Sequence, residues 1–183
     1  MFHRADRRWT DGDVATIASW LRPAMGVSGG LLDIGGGTGG LSVRLAAALQ
    51  AGVTVLDPTP EMVAYIPADS AVSVVLGVAE KMPLPDGSFD AALVSDALHH
   101  FRDRRAAIGE IARVVRPGGV VAVLELDPSG FDTRAMGLIE RLVGEPAAFL
   151  TPDALVELMA DAGIQGTATA ERGSSYRFLG TVD

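Results

Sequence analysis

Short apolar runs rich in β-branched residues alternate with amphipathic stretches along the chain. Five of these runs predict β-strands, at residues 31–34, 53–56, 72–76, 91–94 and 120–124. Near-continuous apolar strands need cover on both faces, which a parallel sheet flanked by helices provides. The pattern therefore predicts an α/β fold with a doubly wound, mostly parallel sheet and helices on both faces.

The stretches between the strands carry apolar residues at helical spacing. Leu41, Leu45 and Leu49 form a stripe that predicts a helix ending at Gly52. A second stripe consists of Ile108, Ile111 and Val115. We expect Pro117 to stop that second helix, because proline has no N–H to donate.

The end of the chain predicts one more helix and a hairpin. Thr151 can cap the helix and Gly163 can end it. Two further runs, at 164–170 and 174–182, predict strands joined by a turn at 172–173. We expect this hairpin at one edge of the sheet.

Composition and charge narrow the classes of function. The 183 residues carry 15 Lys+Arg and 23 Asp+Glu, a formal charge of −8, and suit one domain. No cysteine is present, which excludes a disulfide scaffold, a Cys-ligated metal site and a thiol nucleophile. The acidic balance argues against a nucleic-acid partner. No apolar run approaches the ~18 residues of a membrane span, and the polar start does not match a signal peptide, so we expect a cytoplasmic protein.

A glycine-rich run at 35–40 separates the first strand from the first helical stripe. Its spacing satisfies a dinucleotide-binding pattern through Gly35, Gly37 and Gly40, and equally a second pattern through Gly35, Gly37 and Gly39. Such a loop brings backbone N–H groups close to a ligand at a helix N-terminus. The glycines alone leave the ligand open, and a tight turn without a ligand is the alternative.

Two acidic residues end the neighbouring strands. Asp33 would repel a nearby pyrophosphate, whereas it suits a ligand that presents an ammonium group. Asp57 can accept both ribose hydroxyls, a role that adenosyl and nicotinamide dinucleotide ligands share, or it can simply form an Asp-Pro turn. Asp33 therefore discriminates between the ligands and Asp57 does not.

Five segments resemble, in order, the motifs of class I S-adenosylmethionine-dependent methyltransferases of the small-molecule branch called type 11. They are Leu-Asp-Ile-Gly-Gly-Gly-Thr-Gly at 32–39, Leu-Asp-Pro-Thr-Pro-Glu-Met at 56–62, Ala-Glu-Lys-Met-Pro-Leu-Pro-Asp-Gly-Ser-Phe-Asp at 79–90, Ala-Leu-His-His-Phe at 97–101 and Val-Arg-Pro-Gly-Gly at 115–119. Each motif alone is weak evidence, whereas five in the right order are strong evidence. The resemblance implies a Rossmann-like, seven-stranded sheet with an antiparallel last strand, and S-adenosylmethionine as the cofactor.

The resemblance also assigns residues to the methionine half of the cofactor. Asp33 would reach the methionine ammonium through water. Gly35, Gly37 and Gly39 would line the methionine and the sulfonium, and Ser95 would lie beside the sulfonium at the end of the fourth strand.

A second group is assigned to the adenosine half. Asp57 would hold the ribose, with Thr59 and Met62 against the adenine. Ala79 and Glu80 would border the adenine ring.

Methyl transfer from a sulfonium is an in-line displacement, for which alignment and exclusion of water supply much of the acceleration. His99 and His100 follow the fourth strand and are the candidate general bases, with His100 favoured. Alternatively, His99 packs under the next helix and His100 only shapes the pocket. Asp96, Glu125 and Asp127 could hold a divalent ion with a histidine. They do not match the ligand pattern of metal-dependent catechol methyltransferases, so we expect no metal.

The predicted domain has four parts. They are an N-terminal arm and helix at 1–27, a cofactor-binding core at 28–127, an acceptor-side insertion at 128–150, and a C-terminal helix with the edge hairpin at 151–183. Phe2 and Trp9 in the arm either cover the cofactor or pack loosely. The insertion is short, which favours a small-molecule acceptor or an open pocket.

Methyl transfer to a small molecule is the leading function, with two alternatives. A nicotinamide-dependent oxidoreductase would explain the glycine spacing and Asp57, but not Asp33 or the later motifs. A non-catalytic cofactor-binding or scaffold protein is supported by Val78, since members often have an acid at this point that binds the adenine amino group. A phosphate-loop nucleotidase is excluded, because no Gly-Lys-Ser/Thr follows the glycines.

Overall fold

One mixed sheet organises the protein, whose computed structural model describes residues 9–26, 30–130 and 149–183. Within these ranges, seven strands form the sheet in the order β3-β2-β1-β4-β5-β7-β6. The strands are β1 (Leu31–Ile34), β2 (Val53–Asp57), β3 (Val72–Leu76), β4 (Phe89–Ser95), β5 (Val115–Leu126), β6 (Ile164–Ala170) and β7 (Ser175–Val182). The predicted seven-stranded α/β fold is confirmed.

Helices cover both faces of this sheet, also as predicted. Those in the described ranges are α1 (Asp11–Leu21), α2 (Gly40–Leu49), α3 (Pro60–Val63), α4 (Arg104–Val114) and α5 (Pro152–Asp161), with 3-10 turns at Arg22–Ala24 and Leu98–His100. α1 and α2 share one buried apolar cluster with the sheet, and α4 and α5 share the other.

Strand direction determines where a binding site can form. β1 to β5 pair in parallel, and β7 runs antiparallel between β5 and β6. The carboxyl ends of the parallel strands therefore lie along one side of the sheet, which we call the carboxyl edge. Ligands bind at this edge in open parallel sheets.

Neighbouring residues of one strand pack into opposite layers of the core. Leu31 and Ala91 lie in the cluster with α1 and α2, whereas Leu32 and Ala92 lie in the cluster with α4 and α5. All four are fully buried. Burial of a leucine side chain contributes about 1.5–3 kcal/mol, so the central strands are a firm base for the loops at the carboxyl edge.

The end of α2 differs from the prediction. The helix ends at Leu49, and Gln50 adopts the left-handed conformation at the C-cap with φ 55° and ψ 41°. Gly52 lies beyond the cap, and its φ is not positive. The prediction that Gly52 ends the helix was therefore wrong, because a non-glycine residue takes the left-handed position.

The end of α4 also differs. The helix ends at Val114, and Val115 begins β5 in extended conformation and pairs with Phe89. Val115 was predicted on the helix face, yet its extended backbone places it in the sheet. Pro117 lies inside β5, next to a shift in register between β4 and β5. The prediction that Pro117 stops the helix was therefore wrong, because the helix has already ended at Val114.

Two predictions from the sequence concern residues outside the described ranges. Most of the predicted insertion at 128–150 lies outside the described residues, and so does Phe2. Among the helices of the described ranges, none combines the length and the apolar character that a bilayer crossing requires.

Candidate functional site

The glycine loop between β1 and α2 forms one wall of a cavity at the carboxyl edge. Gly35, Gly37 and Gly39 have positive φ angles of 74°, 54° and 73°. A Cβ on Gly35 would lie 2.5 Å from the Cβ of Ala97, and a Cβ on Gly39 would lie 2.5 Å from Cγ1 of Ile66. Only glycine satisfies both the backbone angle and the space at these two positions.

This first cavity has a volume of about 1030 Å³ and lies over the ends of β1 and β2. That volume accommodates a ligand the size of a nucleoside derivative. Most of the predicted cofactor residues line it, namely Gly35, Gly37, Asp57, Thr59, Met62, Ala79 and Glu80. The remaining three, Asp33, Gly39 and Ser95, are not part of its wall.

Asp57 is held in place at the end of β2 by two backbone groups. Gly37 N–H donates to Oδ2 at 3.0 Å, and Thr59 N–H donates to Oδ1 at 2.9 Å. A carboxylate can accept about four hydrogen bonds, so both oxygens retain capacity for ligand hydroxyls. The fixed carboxylate lies beside the glycine loop, and its contact with a ribose stays a prediction.

Asp33 lies beneath the glycine loop, with only 2% of its surface exposed. Its carboxylate accepts a hydrogen bond from the Ser42 hydroxyl of α2 and lies directly under Gly36. Burial raises the pKa of Asp33 to about 6, the bond from Ser42 opposes this rise, and the neighbouring Asp57 charge adds to it. The contact with a methionine ammonium stays a prediction.

Glu80 connects two loops at the far side of the cavity. Its Oε1 accepts hydrogen bonds from Arg102 N–H at 2.7 Å and from Asp103 N–H at 3.3 Å. The carboxylate thus ties the segment after β3 to the segment before α4. Ala79 beside it is buried against the first cavity.

Val78 also lines the first cavity, with 46% of its surface exposed. An aliphatic side chain cannot accept a hydrogen bond from an adenine amino group. Val78, which stands where members of the resembled family often have an acid, is therefore part of the cavity wall. An adenine ring bound there would meet an apolar surface.

The two candidate bases have different environments. His99 is buried, its Nδ1 lies 2.9 Å and 3.0 Å from the two carboxylate oxygens of Glu125, and its backbone N–H donates to the same carboxylate at 3.2 Å. His100 is exposed and lines the first cavity. The two imidazole centroids are 4.0 Å apart, and the Phe149 ring lies 4.6 Å from that of His99. His100 can therefore contact a ligand in the first cavity, whereas the buried His99 is held by Glu125 behind His100.

One group of side chains in the described ranges could hold a metal ion. Atoms of Asp96, His99 and Glu125 lie within 4.8 Å of one another. The Nδ1···Oε distances are those of a direct hydrogen bond, and Leu126 N–H also donates to Glu125. Asp127 instead caps its own loop by accepting from Ser129 N–H. A hydrogen-bonded pair thus explains the arrangement, and the absence of a metal stays a prediction.

A second cavity of about 630 Å³ opens on the other side of Asp96. Its wall combines α1, the ends of β4 and β5, and the turn before β7. This second cavity is lined by Ser95, which the resemblance placed beside the sulfonium, and by Trp9, which was expected either to cover the cofactor or to pack loosely. Asp96 lines both cavities and has a positive φ of 55°, which is rare for a non-glycine residue and is concentrated at functional sites.

Two site residues escaped the assignment from sequence, and a third, Asp96, was considered there only as a possible metal ligand. Tyr65 and Asp96 line the first cavity, and Trp20 lines the second. Tyr65 follows Met62 by three residues, the spacing that places side chains on one side of a helical turn. The position of Asp96 directly after Ser95 was a comparable signal, whereas Trp20 is brought to the site only by the docking of α1.

The comparisons with known proteins agree with this geometry. A family model described as a methyltransferase domain matches residues 32–123. An uncharacterized methyltransferase of Mycobacterium tuberculosis is 35% identical over 178 residues, covering 83% of this chain and 71% of the relative. A ubiquinone/menaquinone biosynthesis C-methyltransferase of Methylobacterium nodulans is 38% identical over 132 residues, covering 64% of this chain and 51% of the relative.

Solved structures show the same fold. The crystal structure of a SAM-dependent methyltransferase, possible histamine N-methyltransferase, from Thermotoga maritima has a TM-score of 0.73 at 24% identity, covering 100% of this chain and 96% of that one. The family model and the mycobacterial relative extend over the glycine loop, Asp57 and the histidine segment together. The chain therefore belongs to the methyltransferase family, in the class I, S-adenosylmethionine-dependent type 11 branch that its motifs resemble.

Proposed function

We propose that this protein transfers the methyl group of S-adenosylmethionine to a small-molecule acceptor by in-line displacement at the carboxyl edge. One observation carries the proposal: a glycine-walled cavity with a fixed carboxylate adjoins a second cavity, and among the described residues Asp96 alone lines both. In-line transfer needs the two reactants to face each other from adjoining sites. The quinone-biosynthesis relative, by its name, acts on small molecules, which supports that class of acceptor.

The residues of the first cavity fit the cofactor. Asp57 would accept the ribose hydroxyls, Thr59 and Met62 would pack against the adenine, and Gly35 and Gly37 would allow the backbone to approach the methionine half. When bound, the sulfonium supplies an electrophilic methyl carbon. The protein's part is to hold that carbon towards Asp96 and to exclude water.

His100 is the proposed catalytic residue, and His99 the residue that positions it. His100 lines the first cavity, and its ring centroid lies 4.0 Å from that of the buried His99 ring, with the two ring planes inclined at 48°. Glu125 fixes His99 through Nδ1, which holds that ring in one orientation. His100 would accept the proton of an acceptor that arrives protonated.

A non-catalytic cofactor-binding protein is the second candidate, favoured by Val78 in the adenine wall. It differs from the leading proposal in one respect only, the absence of turnover. Radiolabelled S-adenosylmethionine and a panel of small amines, phenols and quinols would separate the two. We expect labelled product with at least one acceptor class, and less of it with His100→Gln.

The matched variant is Asp69→Asn, which removes an exposed carboxylate outside the first cavity. Its turnover should stay close to that of the unmodified protein. Binding of S-adenosylhomocysteine without methylation of any acceptor in the panel would overturn the proposal in favour of the non-catalytic protein.

A further inference from the structure

Two charged side chains of α4 hold the segment that follows β3. Arg113 donates hydrogen bonds to the carbonyls of Met82 at 3.1 Å and Leu84 at 2.8 Å. Glu110 accepts a hydrogen bond from the Met82 N–H at 2.7 Å. The Arg113 guanidinium is itself fixed by two carboxylates, those of Glu110 at 2.7 Å and Asp86 at 2.6 Å. The planar fork of an arginine can serve all of these acceptors at once.

The segment held in this way lies directly behind the wall of the first cavity. Pro83 stands between the two residues whose carbonyls Arg113 binds. A Cβ on Gly77, which lines the cavity, would lie only 3.0 Å from Cδ of Pro83. Movement of Pro83 would therefore displace the cavity wall, and the hydrogen bonds from α4 restrain that movement.

A tight turn connects the same segment to the residues predicted to border the adenine. The Lys81 N–H donates to the Val78 carbonyl at 3.2 Å, which closes the turn that carries Ala79 and Glu80. Ala79 is buried against the first cavity, and among the described residues no group accepts a hydrogen bond from its N–H. Buried backbone N–H groups are nearly always paired. A ligand with an acceptor atom at this wall would complete the pairing.

We propose that Arg113 is a positioning residue for the cofactor, which holds the segment after β3 so that the Ala79 N–H faces the acceptor nitrogen N1 of the adenine. This inference rests on the proposed function, in which Ala79 borders the ring. Arg113 does not line the first cavity and acts only through the backbone that it binds. Such positioning matters in this chain because Val78 offers no acceptor to the adenine amino group, which leaves recognition of the ring edge to the backbone.

Two ligands that differ only at one edge of the base test this role. They are S-adenosylhomocysteine and S-inosylhomocysteine, which share the ribose and the amino acid. N1 of adenine accepts a hydrogen bond, whereas N1 of the inosyl base carries a hydrogen and would meet the Ala79 N–H as a second donor. Calorimetry on the full chain should show roughly tenfold tighter binding of S-adenosylhomocysteine, because the inosyl ligand leaves a buried donor unpaired.

Three variants separate positioning from a general effect on the fold. Arg113→Gln removes the fork that spans two carbonyls, so the tenfold preference should fall to about threefold or less. Asp57→Ala should weaken both ligands alike and leave the preference unchanged, since both carry the ribose. Arg105→Gln removes an exposed guanidinium of the same helix, paired with Asp161, and should leave both affinities unchanged.

Arg113→Lys carries the test if Arg113→Gln does not fold. Lysine keeps the positive charge beside the two carboxylates, but its single ammonium lacks the fork that reaches both carbonyls. The preference for S-adenosylhomocysteine should therefore fall in this variant as well.

The outcomes distinguish this inference from the proposed function. If S-adenosylhomocysteine does not bind the unmodified protein, the proposed function fails and the inference with it. If it binds without a preference over S-inosylhomocysteine, the role of Arg113 alone is overturned. A preference that persists in Arg113→Gln, or in Arg113→Lys where the first variant does not fold, also overturns it. In that case, any equal loss of affinity for both ligands would show that Arg113 contributes only to stability.

Discussion

At the scale of single residues, two aspartates at neighbouring strand ends have acquired different roles through their surroundings. Asp57 meets two backbone N–H groups and opens to the first cavity. Asp33 lies under the loop against Ser42. The sequence predicted both as ligand contacts, because position at a strand end does not reveal which side of a loop a carboxylate occupies. That choice depends on where α2 docks.

The buried Asp33 makes stability depend on pH. Its pKa is about 6 in the folded protein against an ordinary value of 3.8, so between these values the folded state binds a proton that the unfolded chain releases. Stability from this group is present at low pH and is lost as pH rises through the window. Asp33→Asn does not titrate, so its stability relative to the unmodified protein should rise by up to about 3 kcal/mol between pH 4 and 7.

Urea unfolding of both proteins across that pH range measures the difference. Asp69→Asn, at an exposed turn residue, is the control and should show no such trend. A constant difference between Asp33→Asn and the unmodified protein would contradict the role assigned to burial.

At the scale of elements, the apolar periodicity predicted every strand, but helix ends were less predictable. Glycine was the expected C-cap of α2, yet Gln50 takes the left-handed backbone. The hydrogen-bonded end of a helix depends on how the next segment turns into β2, which local residue preference does not determine. In the same way, Val115 is not part of the helix, because it pairs with Phe89 in the sheet.

The C-cap of α2 makes a simple prediction. Gln50 is exposed and has φ 55°, an angle that costs a residue with a Cβ about 1 kcal/mol. Gln50→Gly should therefore increase the free energy of unfolding by up to about 1 kcal/mol, as measured in urea.

The comparison variant is Gly52→Ala. A Cβ on Gly52 meets no atom within 4 Å and its φ is not positive, so we expect a neutral or slightly stabilising effect. Destabilisation by Gly52→Ala together with no gain from Gln50→Gly would show that Gly52 is the true end of the helix.

At the scale of the whole molecule, the motifs predicted most of the first cavity, because the loops that follow neighbouring parallel strands contribute its residues. The loops after β1, β2, β3 and β4 converge wherever parallel strands share an edge, so their residues meet without further information. The second cavity was not predicted. It needs α1 to dock beside the ends of β4 and β5 and the β6–β7 turn to approach from the far edge, which are contacts between segments distant in sequence.

The overall charge gives a further prediction at this scale. A formal charge of −8 opposes binding to a phosphate backbone, which depends on neutralisation by Lys and Arg. Fluorescence anisotropy with a labelled DNA duplex and with a structured RNA, at low salt, should show no binding. Binding that weakens steeply with added salt would contradict the expectation that nucleic acid is not a partner.

Calorimetric titration with S-adenosylhomocysteine tests the central claim most directly, with NADH as the competing ligand. Asp57→Ala removes the proposed ribose contact, and Asp69→Ala removes an exposed carboxylate outside the first cavity. We predict that S-adenosylhomocysteine binds and NADH does not, and that Asp57→Ala weakens binding at least about tenfold while Asp69→Ala has no effect. Binding of NADH alone, or unchanged affinity in Asp57→Ala, would contradict the assignment of the glycine-walled cavity to the adenosyl cofactor.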